Sequence, residues 1–187
     1  MLLSHYPCIE DAPRATKGDG GAGSVALFRI DGHHLTYRGS QTRSLSLTNT
    51  TPPDFLHGAG QIGFTPDGAH LIVTTKASSS SYDVFNVSAR GSLSASPVVT
   101  TSASPVPFAF SFDTAGHLVG VEAATSKVST YTVNADGTLT SLGSVADGAT
   151  ALCWITEVVN AGLVSAAPVS VRAIGVGSEP PCNSEKL

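Results

Sequence analysis

The sequence is poor in charge, in aromatic rings and in sulfur. Asp, Glu, Lys and Arg make up 13% of its 187 residues, and the formal net charge is −4 with no cluster of Lys or Arg. A nucleic-acid binder needs a basic face to meet phosphates, so that class is excluded. Low charge combined with 41% hydrophobic residues also excludes a disordered tail and calls for a packed interior. No apolar run approaches the roughly 20 residues of a membrane-spanning helix, so no membrane partner is expected. Met1-Leu2-Leu3-Ser4-His5-Tyr6-Pro7-Cys8 has no charged segment followed by an apolar one. It does not read as a secretory leader, and the cytoplasm is the default compartment. Cys8, Cys153 and Cys182 are far apart and odd in number, and they make neither a metal knuckle nor a disulfide framework. There is no Gly-x-Ser-x-Gly elbow and no phosphate loop. Neither a metal nor a cofactor is expected.

What is abundant is the chemistry of short strands and turns. Ile62-Gly63-Phe64 alternates apolar and small residues, as a half-buried strand does. Pro66-Asp67-Gly68 follows: proline presets φ, aspartate bonds back to its own backbone, and glycine accepts positive φ. Leu71-Ile72-Val73 then reads as a buried strand. The hairpin returns as Phe110-Ser111-Phe112, Asp113-Thr114-Ala115-Gly116 and Leu118-Val119, with Gly68 and Gly116 48 residues apart. Phe85 and Tyr131, Val87 and Val133, Gly91 and Gly137, and Leu93 and Leu139 are each 46 apart, so a small deletion falls in the second copy. Val25-Ala26-Leu27-Phe28-Arg29-Ile30-Asp31-Gly32-His33-His34-Leu35 matches only the back half of the unit. A four-stranded unit repeating at 40–50 residues is the mark of a propeller blade.

The expected fold is therefore all-β, an open arc of a β-propeller with about two full blades and partial ones. Residues 1–23 are irregular and end in a glycine-rich linker. Residues 24–157 are the partial propeller, with a half-blade over 24–40, a long connection over 41–58, and blades over 59–105 and 106–148. An inner strand is expected to begin at 149–155, and residues 158–187 match nothing in the repeat. Propellers close with roughly four to eight blades, so the chain reads as a piece of a larger one. An open arc would bare the faces carrying Phe64 and Phe112 and would favour self-association.

Gly60-Gln61-Ile62-Gly63-Phe64-Thr65-Pro66-Asp67-Gly68, Asp83-Val84-Phe85-Asn86-Val87 and Gly116-His117-Leu118-Val119-Gly120-Val121-Glu122 resemble the seven-bladed propeller lactonase family. That family includes 6-phosphogluconolactonase-type and carboxymuconate-cyclising enzymes. The resemblance covers about residues 24–157. It implies hydrolysis or formation of a sugar-acid or muconate-type lactone, with a small lactone or acid as the partner and an incomplete chain inactive alone. The other class compatible with the fold is a non-catalytic propeller that binds a protein or a glycan.

Lactone hydrolysis needs a base to activate water and a group to meet the developing oxyanion. The resemblance implies His, Glu and Arg at one mouth of the channel. His57, just before an inner strand, and Glu122, at a strand end, are the catalytic candidates. His57 also reads as a loop histidine and Glu122 as a solvated strand end. Arg43 and Lys76 offer positive charge, yet both read more simply as surface residues. His70 and His117 recur after successive turns, which suits a packing or turn role. His33-His34 lacks a third metal ligand, and Cys153 beside Trp154 reads as buried packing.

Overall fold

The structure is a computed structural model and describes residues 22–31, 33–48, 54–148 and 150–155. Two four-stranded antiparallel sheets of one topology form its centre. The first runs in order β3 (Ile62–Phe64), β4 (His70–Thr74), β5 (Ser81–Asn86) and β6 (Val98–Thr101). The second runs β7 (Pro107–Phe112), β8 (Leu118–Glu122), β9 (Lys127–Val133) and β10 (Leu139–Ala146). The registers coincide, since Leu71 pairs with Phe85 in one sheet and Leu118 with Tyr131 in the other. The chain thus has the repeated sheets of a partial β-propeller.

The equivalent turns are built alike. Thr65 N–H bonds His70 O, and Asp113 N–H bonds His117 O. In each, an aspartate side chain caps an amide two residues on: Asp67 accepts from Ala69 N and Asp113 from Ala115 N. The second turn is one residue shorter, and so is the connection that follows its second strand. Those two deletions account for the narrowing of the repeat from 48 to 46.

Why β4 is a continuous apolar run follows from its burial on both faces. Leu71 and Val73 point to one side, with Phe85 and Leu93, against Val25 and Leu27 of the N-terminal hairpin and Leu45 and Leu47 of the segment that follows it. Ile72 points to the other side and joins Tyr82, Val84, Phe110, Leu118, Tyr131 and Leu139 between the two sheets. A third cluster, Phe108, Ala109, Val121, Leu152 and Cys153, covers the far side of the second sheet. Each fully buried Leu, Ile or Phe contributes about 1.5–3 kcal/mol, so these clusters dominate the cohesion between layers. The sheets are also tied by polar bonds. The Gln61 amide behaves like a peptide: Nε2 donates to Phe110 O at 2.8 Å, and Oε1 accepts from Phe110 N at 3.1 Å. Beside it, a Cβ at Gly60 would stand 2.5 Å from Thr74 Oγ1 and 2.8 Å from Phe108 O, so the backbone passes there only as glycine.

Four expectations need correction. β1 (Ser24–Asp31) and β2 (His34–Ser44) form a hairpin longer than the half-blade expected, so residues 41–44 belong to a strand and not to the connection. Arg43 keeps them there, bonding Leu93 O and Ser94 O of the neighbouring sheet. Residues 150–155 form no strand, because no second strand pairs with them among the described residues; they pack by Leu152 and Cys153 instead. A 3-10 turn, Phe55–His57, interrupts the stretch read as a connection, and a short α1 (Lys76–Ser79) lies inside the all-β blade expected over 59–105. Phe64 and Phe112 are half-buried against the first and second clusters, and the exposed apolar side chains are others, among them Val99, Leu142 and Val145.

Candidate functional site

Antiparallel order sends alternate connections to one end of the sheets. Residues 54–61, 75–80, 102–106, 123–126, 147–148 and 150–155 gather there, and the Asp67 and Asp113 turns lie at the opposite end. Hydrogen bonds knit this mouth together. Ser102 N–H bonds Ser80 O, Ala123 N–H bonds Val106 O, and Asp147 N–H bonds Ser126 O.

His57 closes the 3-10 turn at the mouth. Asp54 is the N-cap of that turn and accepts from Leu56 N at 2.9 Å. Its other oxygen is 3.0 Å from His57 Nδ1. The Leu56 amide first, and the His57 ring next, hold the Asp54 carboxyl below its ordinary range. A carboxylate only accepts, so it fixes the neutral imidazole with its proton on Nδ1. Nε2 is then left with a lone pair, the arrangement a general base requires. Both side chains are partly exposed.

Glu122 is placed quite differently. It is 0% exposed, which removes the reading of a solvated strand end. Its carboxylate accepts from Ser129 Oγ at 2.6 Å, Ser102 Oγ at 2.9 Å and the Tyr131 hydroxyl at 3.1 Å. Tyr131 in turn accepts from Ala103 N at 2.9 Å. Glu122 therefore binds the connection between the sheets to the second sheet itself. The structure sets Glu122 and His57 at the same end but gives them separate partners.

Lys76 is no surface residue. It is 3% exposed, and its backbone has φ 46°, a left-handed value that costs a side-chain-bearing residue on the order of 1 kcal/mol. Its Nζ donates to Phe55 O and lies 3.9 Å from the centre of the Phe55 ring and 5.2 Å from that of Phe108. Burial lowers the affinity of this amine for its proton, and the charge of Asp54 partly restores it. Phe108 also meets Phe55 at 5.8 Å and Trp154 edge-on at 5.6 Å. Phe55 and Trp154 remain 48% and 55% exposed, so the mouth shows aromatic surface beside the histidine.

His70 is buried beside its turn, and His117 Nδ1 pairs with Asp113 at 2.8 Å. Both serve the turns, at the end away from the mouth. Cys153 is disulfide-bonded, which differs from the expectation of unpaired cysteines and leaves it no free thiol. Among the described residues no group of three or more His, Cys, Asp or Glu is placed to hold a metal ion, and no helix is long and apolar enough to cross a membrane.

Repeated four-stranded antiparallel sheets with alternate connections gathered at one end define a β-propeller protein. A family model described as lactonase, seven-bladed β-propeller, matches residues 22–156, and the chain belongs to that family. Among solved structures it is similar to a candidate 6-phosphogluconolactonase from Bacteroides fragilis, 19% identical, with TM-score 0.55 over 72% of this chain and 39% of that one. It is similar as well to the periplasmic gluconolactonase of Pseudomonas aeruginosa, 20% identical, with TM-score 0.55 over 72% of this chain and 39% of that one. A candidate 6-phosphogluconolactonase from Bacteroides uniformis is 17% identical, with TM-score 0.55 over 73% of this chain and 41% of that one. These identities speak for the fold alone. The chain spans about two fifths of the length of these structures. No curated protein matches it.

Proposed function

We propose that this chain carries part of a lactonase-like site, and that a complete propeller built from it opens or closes a sugar-acid or muconate-type lactone. The observation that carries the reading is the Asp54–His57 pair, a carboxylate-oriented imidazole at the mouth of a lactonase-family fold. In hydrolysis His57 Nε2 takes a proton from water as the water oxygen bonds the lactone carbonyl carbon. The tetrahedral intermediate then breaks its ring C–O bond, and the proton passes to the leaving alkoxide. The products are the free acid and its hydroxyl. Glu122 serves the same mouth from below, holding Ser102 and Tyr131 and so the segment between the two sheets.

The experiment is a chimera in which residues 22–155 replace the matching blades of a solved gluconolactonase propeller, assayed for lactone hydrolysis by pH-stat. His57→Ala should lower kcat/KM by about 100-fold or more, the scale of a lost general base. Glu122→Gln should lower kcat with little change in KM. Equal rates in all three proteins would remove both residues from the site.

A second reading has its own support. The exposed rings of Phe55 and Trp154 suit stacking on a sugar face, as a glycan-binding propeller would use them. Glycan binding by the chimera without hydrolysis of any lactone would favour it.

A further inference from the structure

We infer that Lys76 is a positioning residue, the strut that sets the 3-10 turn carrying His57 against the sheets. The inference rests on the assignment of His57 to the site, yet its geometry is independent of turnover. α1 is bolted down on several sides. Thr48 N–H bonds Ser78 Oγ at 2.8 Å, Ser102 N–H bonds Ser80 O at 2.9 Å, and Val106 N–H bonds Ser80 Oγ at 3.3 Å. Left-handed non-glycine residues bracket it, Lys76 at φ 46° and Ser80 at φ 50°. The conformation of Lys76 aims its side chain out of this fixed element and under the turn, where Nζ bonds Phe55 O and lies over the Phe55 ring.

The internal bonds of the turn do not fix its place on the sheets. Asp54 caps Leu56 and pairs with His57, and both of these bonds lie within the turn. The bond from Lys76 and the Phe55–Phe108 ring contact join that unit to the rest. A side chain that merely filled space would not be an ammonium, because withdrawing that charge from water is unfavourable unless the charge is used. Here it is used on a carbonyl and two rings.

Hydrogen exchange of the full chain, followed by mass spectrometry of peptides covering 54–58 and 70–74, tests this in Lys76→Met and Lys76→Arg. Methionine keeps the apolar stem and loses the donor; arginine keeps a donor and stacks on the ring. In Lys76→Met, exchange over 54–58 should rise tenfold or more while 70–74 stays unchanged. Lys76→Arg should return 54–58 to within about threefold of the parent. Unchanged exchange over 54–58 in Lys76→Met, or equal acceleration of both peptides, would overturn the inference. The readout needs no activity, so a chimera without lactonase activity would sink the functional reading and leave this one standing.

Discussion

The hydroxyl of Tyr82 occupies the space that a side chain on residue 120 would need. A Cβ built on Gly120 would stand 1.9 Å from that oxygen and 2.9 Å from Tyr82 Cζ. The ring enters from the first sheet, packs on Tyr131 at 5.2 Å and is fully buried. Its hydroxyl has no hydrogen-bond partner among the described residues. A buried hydroxyl without a partner costs free energy, so its removal is close to neutral or favourable. Tyr82→Phe should hold or raise the urea midpoint. Gly120→Ala should lower stability by about 1–3 kcal/mol through overpacking. In the double variant the clash with oxygen is gone, so the two changes should couple by about 1 kcal/mol or more. Additive effects would show that the sheets do not meet in this way.

Glu122 gives a second test. Three hydroxyls donate to it in a site with no exposure. Glu122→Gln keeps an acceptor for Ser102 and Tyr131, and Ser129 can turn to accept from the new amide. The loss should be about 1 kcal/mol in urea denaturation. Glu122→Leu leaves all three hydroxyls without an acceptor and should cost about 3 kcal/mol or more. Equal losses in the two variants would mean that the carboxylate is not the hub described.

The contrast between these residues shows what a sequence discloses. The repeat exposed the hairpins because Pro66-Asp67-Gly68 and Gly116 impose turns through their own backbones, and the apolar runs between them are local too. Burial of Glu122 depends on Ser102 and Ser129, which stand 20 positions before it and 7 after it, and nothing local marks them as donors. Lys76 looked like a surface cation for the same reason, since the rings that hide it, Phe55 and Phe108, come from other elements. Asp54-Phe55-Leu56-His57 was within reach. An N-cap aspartate with a histidine three residues on can pair within one turn. Residues 150–155 misled because an apolar run resembles an inner strand whether or not a neighbour exists to bond it.

Acid sensitivity should have one source at Asp113. Partial burial alone would raise its carboxyl, but bonds from the His117 side chain and from the His117 and Ala115 amides outweigh this and hold it below the ordinary value. A depressed carboxyl contributes stability that is present above its unfolded value, about 3.9, and is lost as pH falls through the folded one. The stability difference between the parent and Asp113→Asn should therefore shrink as pH falls below about 4. Urea titrations at a series of pH values measure this. A difference that grows below about pH 4 would contradict the sign.

Asp83 should behave in the opposite way. It is 4% exposed in β5, and Ser81 Oγ donates to it at 2.8 Å. Burial pushes its carboxyl up, and the single bond from Ser81 only partly opposes this. The folded state then holds the proton more tightly than the unfolded chain does. Stability is highest below the unfolded value of about 3.9 and falls as pH rises through the folded one. At pH 7 the ionised group is a net cost, and an amide of the same shape avoids it. The amide oxygen that Asp83→Asn introduces still accepts from Ser81, so the hydroxyl chain through Ser81, Thr75 and Ser79 stays intact. Asp83→Asn should thus raise the urea midpoint at neutral pH, with the gain closing as pH drops toward about 4. A variant less stable than the parent at pH 7 would show that the carboxylate there is held by more than Ser81.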